Sequence, residues 1–438
     1  MSEARDSRFI ADNQRQVERL SKLGWYHSIE LPDGSVIPGH QTVEQLRTRL
    51  RQFHIPEDLT GKRVLDIGAW DGWFSFEMER RGASVLAVDS AKNTRLLEAK
   101  ALLGSRIDYL IADICRLTAK DVGTFDIVLF LGVLYHLKHP LLALENVCGM
   151  CRDRACIESF VTDGNPDAIP SMEFYETTEL RGQLDNWCGP NIACLLAFTR
   201  TAGFARVQFE SVLAERAHVS AYRHWDASEG DGPAPQILCI ENSTTHDHSF
   251  SSAADDYITF YFTHPGTSLT CDNVYPEIGG YGSRPLYIAQ TGGGWQASCK
   301  LPPGLDARWH KARLRVESSR YSSPLQLGIA APTWQPNITS DLEVTRIADG
   351  KTFEDDRIRV GEDSAVSVWM AGLPADATIA DLSIRLNGTD LPAIWLAPSG
   401  ASRQVNALLP AGVEPGKATL SVVFRGSETR ANEVELHK

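Results

Sequence analysis

The sequence predicts an α/β protein in which a doubly wound, seven-stranded sheet is followed by two all-β sandwich domains. Short apolar runs alternate with helical patterns over residues 61–245, which is typical of a parallel sheet covered by helices on both faces. A polar linker follows at 243–256. Beyond it, strands of period two alternate with Gly and Pro turns, as in sandwich domains.

The segment before the sheet is expected to form an N-terminal helical lid over residues 1–60. Helical patterns occur at 8–24 and 41–53, with an aromatic cluster between them. Such a cluster can anchor a lid or form the wall of a substrate pocket, and we expect it to do both. The candidate substrate-binding residues in this cluster are Trp25, Tyr26 and His27.

The alternating segment predicts the elements of the sheet in chain order. Ligands of such sheets bind beyond the carboxyl ends of the strands, so residues that end a strand are the first candidates for a site. The predicted strands are 63–67, 84–88, 107–112, 126–132, 155–161, 205–212 and 236–241. The predicted helices between them are 73–81, 92–103, 140–150 and 190–202.

Residues 63–89, RVLDIGAWDGWFSFEMERRGASVLAVD, read as strand, glycine loop, helix, strand and acidic residue. This arrangement is typical of adenosine binding, because glycine lets the main chain approach the ligand and the final acid binds ribose hydroxyls. A dinucleotide needs bare backbone for its pyrophosphate. Trp70 and Asp71 do not provide it, since Asp71 adds a carboxylate where a phosphate would lie. S-adenosylmethionine (SAM), which is cationic and has no phosphate, fits better; a βαβ unit without a ligand is the alternative.

The glycine loop and the strand ends supply the candidate cofactor-binding residues. Asp66 is expected to favour the ammonium group of SAM, Asp89 to bind its ribose, and Asp113 to accept from the amine of its adenine. A capping or turn role is the alternative for each carboxylate. The full set is Asp66, Gly68, Ala69, Trp70, Gly72, Asp89, Ser90, Asp113, Ile114, Leu131 and Gly132.

The motifs DIGAWDGWFSFE at 66–77 and LGVLYHLKHP at 131–140 resemble the class I SAM-dependent methyltransferases, which have a Rossmann-like sheet. More narrowly, the chain is similar to the branch that contains wobble-uridine tRNA methyl- and carboxymethyltransferases and their uncharacterised relatives. The resemblance covers roughly residues 20–215, and the tRNA-modifying relatives lack the C-terminal half. It also rests on WYHSIELPDGSVIPG at 25–39, ESFVTDG at 158–164 and GPNIACLLAFTRTAGF at 189–204.

Tyr135 and His136 follow the fourth strand and are the candidate catalytic residues. Histidine can take a proton from a hydroxyl or an amine, and tyrosine can position the nucleophile or contact the sulfonium. A structural role is the alternative for His136. In the carboxymethyl branch, the resemblance implies that cationic residues and the tyrosine matched by Tyr135 hold a carboxylated cofactor. The sequence alone does not place those cationic residues, and we expect SAM itself to be the cofactor.

Residues 163–188 interrupt the fold after the fifth strand. Insertions at this place build the acceptor pocket or a solvated cover, and the carboxylates of this one favour a polar or cationic acceptor. Three further candidate substrate-binding residues lie in or before the insertion: Glu158, Tyr175 and Trp187.

The net charge of −13 over 438 residues argues against a partner that is gripped by its phosphates. We therefore expect a methyltransferase that acts on an oxygen or nitrogen of a small molecule or glycan. The alternatives are a tRNA wobble-uridine methyl- or carboxymethyltransferase and a non-catalytic binding or scaffold protein. The sequence shows neither a signal peptide nor an apolar run of spanning length, so we expect a cytoplasmic protein with no membrane partner.

The cysteines and the two sandwich domains give two further expectations. Cys148, Cys151 and Cys156 form the one cysteine cluster, which we interpret as buried thiols, and no metal is expected. The two sandwich domains, 250–333 and 336–438, are immunoglobulin-like in pattern. They are expected to shield the catalytic domain, mediate homo-oligomer formation, or bind a glycan through Trp295, Trp309 and Tyr281.

Overall fold

The structure of the protein is a computed structural model. It describes residues 17–226, 228–246, 250–251, 256–266, 268–330, 342–374, 377–397, 402–425 and 427–438. The chain divides into two compact units. The first runs to Ala227 and includes Tyr281–Arg284 and Pro302–Leu305. The second contains Ser228–Gly280, Pro285–Leu301 and Asp306–Lys438.

The first unit begins, within the described residues, with a short helix at 17–21 and small paired strands. Its early elements are β1 (Trp25–His27), β2 (Ile29–Glu30), β3 (Val36–Ile37), β4 (Gly39–Gln41) and α1 (Val43–Arg51). The predicted helix over 8–24 therefore ends earlier, and residues 8–16 lie outside the described residues. The predicted helix over 41–53 matches α1, which begins after a Thr42 capping box.

The central sheet and its covering elements follow in alternation. They are β5 (Arg63–Ile67), α2 (Trp73–Arg80), β6 (Ser84–Asp89), α3 (Thr94–Leu103), β7 (Asp108–Ile111), α4 (Ala119–Val122), β8 (Phe125–Leu131), α5 (Pro140–Met150), β9 (Cys151–Phe160), β10 (Met172–Phe174), β11 (Cys188–Pro190), α6 (Ile192–Thr201), β12 (Arg206–Leu213) and β13 (Arg216–Tyr222). A turn of 3₁₀-helix, Leu134–His136, lies between β8 and α5.

The seven strands of this sheet lie in the order β7-β6-β5-β8-β9-β13-β12. The first five are mutually parallel, and β13 runs antiparallel to both of its neighbours. The predicted doubly wound, seven-stranded sheet is thus confirmed. Because β5, β6 and β8 are adjacent and parallel, their carboxyl ends meet at one edge, where a ligand of such a sheet binds.

One strand assignment was wrong. The segment predicted at 236–241 forms β14 (Gln236–Asn242), which pairs with a strand of the second unit and does not join the central sheet. The seventh strand of the central sheet is β13, which follows β12 after a tight turn at Ala214 and Glu215. A two-residue turn joins antiparallel neighbours, and that local connection decides the pairing.

Apolar side chains cover both faces of the central sheet. One core cluster joins β5, β8 and β9 to α5 and α6. The other joins the opposite face to α2, α3 and the N-terminal segment, including Trp25 at 4% exposure. The N-terminal segment is therefore part of the core of this unit, and its position relative to the strand ends is fixed by burial.

The second unit is all β, as predicted. Its strands are β14, β15 (Tyr257–Thr263), β16 (Val274–Ile278), β18 (Pro285–Thr291), β19 (Gly294–Lys300), β20 (Trp309–Val316), β21 (Leu325–Gly328), β22 (Glu343–Asp349), β23 (Arg357–Arg359), β24 (Ala365–Ala371), β25 (Leu382–Leu386), β26 (Thr389–Leu396), β27 (Ser402–Leu408), β28 (Gly416–Phe424), β29 (Ser427–Glu428) and β30 (Asn432–His437). The short strand β17 (Tyr281–Gly282) belongs to the first unit.

Three sheets build the second unit. One has the order β14-β15-β19-β18, another contains β16, β20 and β21, and the largest runs β22-β24-β27-β26-β25-β28-β30-β23 with β29 beside β28. Alternate residues of these strands are buried, as the period-two pattern predicted. Trp295 is only 8% exposed, and the ring of Tyr281 lies 4.0 Å from the Arg223 guanidinium. These two rings are packed rather than presented to a sugar.

Among the described residues, no helix combines the length and the apolar character that crossing a membrane requires.

Candidate active site

A cavity of about 550 Å³ opens at the carboxyl ends of β5, β6 and β8. This volume lies within the range of roughly 300–1,000 Å³ that is usual for small-molecule sites. The residues predicted from the sequence that line it are Tyr26, His27, Asp66, Gly68, Trp70, Asp89, Ser90, Asp113, Ile114, Leu131, Gly132, Tyr135 and His136. Those that lie outside its wall are Trp25, Ala69, Gly72, Glu158, Tyr175 and Trp187.

The glycine loop between β5 and α2 has a left-handed backbone at three positions. Gly68, Trp70 and Gly72 have φ values of 71°, 51° and 88°. A Cβ atom at Gly68 would lie 2.4 Å from Cγ2 of Val133, so only glycine fits there. Ala69 is 1% exposed and hydrogen-bonds through its N–H to the Val88 carbonyl, which makes it a support of the loop.

Asp89 is the last residue of β6, and its carboxylate binds the main chain of the glycine loop. It accepts hydrogen bonds from the main-chain N–H groups of Trp70 (3.0 Å) and Ser90 (2.9 Å). Burial raises the pKa of Asp89 above its ordinary value, although these two hydrogen bonds lower it. The Asp89 carboxylate lines the cavity, and its remaining acceptor positions suit two vicinal hydroxyls.

Asp66, at the end of β5, is almost wholly buried at 2% exposure. Its carboxylate accepts a hydrogen bond of 2.6 Å from the Ser75 hydroxyl. Burial raises the pKa of Asp66 from 3.8 to about 7, partly offset by the bond from Ser75. A cation in the cavity would favour the ionised form of this group.

The other predicted cofactor residues lie around the same opening. Asp113 follows β7, and its carboxylate accepts from the N–H of Cys115 at 2.9 Å, so it shapes its own turn while it lines the cavity. Ile114 is 5% exposed and Leu131 is 8% exposed, which gives the wall apolar surface. Gly132, after β8, has a φ of 76°.

The expectation that Asp71 faces the ligand is wrong. Its side chain is fully buried and accepts main-chain hydrogen bonds from Tyr26 (2.6 Å) and His27 (3.1 Å). Nε of Arg95 lies 2.9 Å from its other oxygen. Asp71 therefore ties β1 to the glycine loop, and this tie places Tyr26 and His27 in the cavity wall.

Tyr135 and His136 lie in the 3₁₀ turn after β8, opposite the glycine loop. Tyr135 is 7% exposed, and burial raises its pKa, although the charge of Arg216 lowers it. Nδ1 of His136 lies 3.0 Å from the main-chain oxygen of Asp185. The sequence places Tyr135 and His136 at the cavity but does not reveal Asp185, which lies 49 residues away.

A buried ion network supports the wall of the cavity beside Tyr135. Glu158 is 0% exposed and pairs with Arg49 (2.8 Å), Arg216 (2.9 Å) and His218 (3.4 Å). Burial by itself raises the pKa of Glu158, but the two arginines and His218 outweigh it and hold that pKa well below its ordinary range. Glu158 thus holds Arg216 in the cavity wall rather than lining the cavity as expected.

Arg216 is a charged residue of this wall that the sequence analysis missed. It begins β13, and its guanidinium lies 5.3 Å from the centre of the Tyr135 ring. Burial alone would lower its pKa, but the charge of Glu158 and the two neighbouring tyrosines together outweigh burial and raise it, so Arg216 is a permanent cation at the cavity. An isolated arginine gives no local signal, and only the pairing of β13 with β9 brings it here.

The aromatic cluster of β1 is divided between two roles. Trp25 is buried, and its indole N–H donates to the Leu20 carbonyl, so it anchors the segment. Tyr26 and His27 line the cavity. Burial, followed by the charge of Arg49, lowers the pKa of His27 to about 3, and its Nδ1 has no hydrogen-bond partner among the described residues.

Residues 163–188, which we call the cap, include β10 and the first residue of β11. Tyr175 donates to the Glu173 carboxylate at 2.9 Å, and burial, followed by this bond, raises its pKa. The ring of Trp187 lies under the ammonium of Lys138 at 4.1 Å. Both rings stabilise the cap, while five of its other residues line the cavity: Leu180, Arg181, Gln183, Asp185 and Asn186.

The cysteine cluster lies apart from the cavity. Cys148, Cys151 and Cys156 are buried, and burial raises the pKa of Cys156 to about 12. Within the described parts of the chain, no three His, Cys, Asp or Glu side chains are grouped so that they could hold a metal ion.

The residues of the cavity fit SAM in charge and in shape. Asp66 and Asp89 place two carboxylates in the cavity at the ends of neighbouring strands, and such groups could accept hydrogen bonds from an ammonium and a ribose. A Cβ at Gly68 would clash with Val133, so the main chain is bare at this point of the cavity wall. In the described residues, no arginine or lysine from the glycine loop or from Asp89 to Ile114 lines this half of the cavity, which agrees with a ligand that has no phosphate.

Comparison with known proteins agrees with this arrangement. Residues 65–156 match the family model described as a methyltransferase domain. The chain is 30% identical over 155 residues to a tRNA U34 carboxymethyltransferase of Pseudomonas paraeruginosa, an alignment that covers 34% of this chain and 46% of that protein. It is 33% identical over 129 residues to a ubiquinone biosynthesis O-methyltransferase of Ralstonia nicotianae, which covers 28% of this chain and 51% of that protein.

The chain thus spans about half the length of these curated relatives. Among solved structures, the N-terminal domain of EvdMO1 with SAH bound is 21% identical, at a TM-score of 0.37, over 48% of this chain and 95% of that one. Residues 65–156 therefore form a methyltransferase domain, and the sheet that contains them has the fold of the class I SAM-dependent methyltransferases.

Proposed function

We propose that the protein transfers a methyl group from SAM to an oxygen or nitrogen atom of a small molecule or glycan. One observation carries this proposal. A single cavity brings Asp66 and Asp89, which suit the cofactor, together with Tyr135 and His136, which suit an acceptor. These residues come from three adjacent parallel strands and the turn that follows the last of them.

The roles follow from the contacts of each residue. SAM supplies an electrophilic methyl group on a sulfonium. Asp89 would bind the ribose hydroxyls and Asp66 the ammonium group. Tyr135, whose pKa is raised by burial, keeps its proton and can donate a hydrogen bond to the acceptor. His136 is the group that can remove a proton from a hydroxyl or an amine.

The charge of the cap favours a small acceptor over RNA. Residues 163–188 contain six carboxylates and one arginine, Arg181, which pairs with Glu215. An acidic cap repels the phosphate backbone of RNA. Proteins that bind RNA through its phosphates use basic surfaces, because their positive charges displace the counterions of the phosphates. The overall charge of −13 acts in the same direction.

A second candidate is transfer of a carboxymethyl group to a tRNA uridine, and Arg216 favours it. In the branch that the chain resembles, cationic residues and a tyrosine hold a carboxylated cofactor, and Tyr135 matches that tyrosine. Arg216 supplies a cation beside Tyr135, at 5.3 Å from its ring. Arginine is well suited to a carboxylate.

Calorimetry with SAM, S-adenosylhomocysteine and carboxylated SAM tests both candidates. We expect SAM to bind, and Asp89→Asn to weaken binding by about 1–3 kcal/mol, the cost of hydrogen bonds lost to a polar ligand. Asp108→Asn is the matched control, because Asp108 is exposed at the start of β7 and does not line the cavity. Failure of the wild type to bind SAM would overturn the proposal.

The group that is transferred separates the candidates. The protein is incubated with SAM labelled in its methyl group and a panel of phenols, amines and sugars, and in parallel with unmodified tRNA and carboxylated SAM. Labelled small-molecule product supports the first candidate. If carboxymethylated tRNA forms instead, and the Arg216→Leu variant no longer forms it, the second candidate replaces the first.

A further inference from the structure

The end of the cap holds the turn that carries the candidate catalytic residues. The N–H of Trp187 donates to the Tyr135 carbonyl at 2.8 Å, and the Trp187 ring lies 4.1 Å from the ammonium of Lys138. Tyr135 and Lys138 flank His136 in the chain. The turn is therefore fixed on both sides of His136 by one short segment, 185–188.

The same segment determines which nitrogen of His136 carries a proton. Nδ1 lies 3.0 Å from the main-chain oxygen of Asp185 and 3.5 Å from its carboxylate oxygen Oδ2. Both oxygens can only accept a hydrogen bond from the ring, so Nδ1 must be the donor. In a neutral imidazole, the lone pair is then on Nε2.

The Nε2 edge of His136 is available to a ligand. The ring lines the cavity, and in the described residues no hydrogen-bond partner is found for Nε2. Three titratable groups near His136 suit proton removal less well. His27 in the wall has a pKa of about 3 and is a weak base, Tyr135 keeps its proton, and Glu158, behind the wall, is engaged by two arginines.

We propose that Asp185 is a positioning residue that holds His136 as the Nδ1–H tautomer, so that Nε2 serves as the base that deprotonates the methyl acceptor. This inference rests on the proposed function, and its substrate class is an acceptor with a proton on its nucleophilic oxygen or nitrogen. The acceptor loses that proton to Nε2 and forms one bond to the methyl carbon as the carbon–sulfur bond breaks. The imidazolium then releases its proton to water.

The tautomer of His136 can be read without an acceptor or turnover. The full chain is labelled with ¹⁵N-histidine, long-range ¹H–¹⁵N correlation spectra are recorded at a pH where the ring is neutral, and the signal is assigned by its absence in His136→Gln. We expect a protonated Nδ1 and an unprotonated Nε2. A proton on Nε2 would overturn the inference, whatever reaction the protein catalyses.

Kinetics with matched variants test the role of the tautomer in turnover. Asp185→Asn keeps the main-chain acceptor and removes only the charge of the carboxylate, so it should lower kcat with little change in KM, whereas Asp167→Asn, an equal charge change at an exposed cap residue outside the cavity, should leave both unchanged. Equal effects of the two variants would overturn the part of the Asp185 carboxylate in the positioning. His136→Asn keeps a donor for the Asp185 carbonyl but lacks Nε2, and it should lower kcat by about 100-fold or more while the affinity for S-adenosylhomocysteine is kept.

Discussion

The cavity has two halves whose residues are brought together over different distances along the chain. The half that the proposed function assigns to the cofactor, the cofactor half, is formed by the glycine loop and the ends of β5, β6 and β7, all between Asp66 and Ile114. The half that it assigns to the acceptor, the acceptor half, is formed by β1, the 3₁₀ turn, the cap and Arg216. Behind the wall of the acceptor half, Arg49 and Glu158 pair across 109 residues, and Arg216 and Glu158 across 58.

The difference shows where each half obtains its stability. The cofactor half is held by main-chain hydrogen bonds to carboxylates, such as those from Trp70 and Ser90 to Asp89. The acceptor half depends on charges that are taken out of water and must be paired. A cofactor pocket of the first kind is robust, and an acceptor pocket of the second kind can be tuned by single substitutions in its ion network.

Glu158→Gln should have the largest effect, because it removes the anion at the centre of the ion network. The substitution keeps the volume but leaves Arg49 and Arg216 without their anion, and it should lower the free energy of unfolding by about 3–5 kcal/mol. Denaturant unfolding measures this loss. Because the pKa of Glu158 is held below its ordinary range, the stability it contributes is present at neutral pH and is lost as the pH falls through that low value.

Glu215→Gln is the control for the loss of an ion pair as such. It breaks the exposed pair between Glu215 and Arg181, whose side chain is 50% exposed, and should cost less than about 1 kcal/mol. If Glu158→Gln cost no more than this control, the ion network would not be what stabilises the acceptor half.

Asp66→Asn tests how burial of a carboxylate in the cofactor half affects the free energy of unfolding. The folded protein holds a proton on Asp66 up to a pKa of about 7, whereas the unfolded chain loses it near 3.8. The wild type therefore loses stability as the pH rises between these values, by at most about 4 kcal/mol. The variant cannot ionise, so the free energy of unfolding of the wild type should fall relative to that of the variant from about pH 4 to about pH 7.

The binding of SAM should show the opposite dependence on pH. An ammonium group favours the ionised form of Asp66, so the wild type should bind SAM more tightly as the pH rises through about 7. Calorimetry on Asp66→Asn should show this rise removed. A stability difference between variant and wild type that is constant with pH would contradict the raised pKa of Asp66.

The two halves also differ in how far the sequence predicts them. The order strand, glycine, helix, strand, acid is local, so the first two parallel strands and the positions of Asp66 and Asp89 could be predicted from spacing, whereas the seventh strand could not. Asp71 shows the limit of that reasoning, because its side chain turns toward the main chain of β1, which lies 44 residues earlier. Arg216 and Asp185 carry no local signal, since strand pairing and cap packing place them.

The contact of Gly68 with Val133 joins the two halves, and Gly68→Ala tests it with the smallest expected effect. Gly61 provides the matched control, because its φ of 76° is close to the 71° of Gly68 and a Cβ there would meet no described atom within 4 Å. Each alanine in this backbone conformation should cost about 1–2 kcal/mol in unfolding free energy. Only Gly68→Ala places its Cβ against Val133, at 2.4 Å, so only it should displace the turn that carries Tyr135.

Methyl transfer should then fall more than SAM affinity in Gly68→Ala, and Val133→Ala in the same chain should restore part of the lost methyl transfer. Equal activity of the two alanine variants would show that the halves are not coupled through this contact.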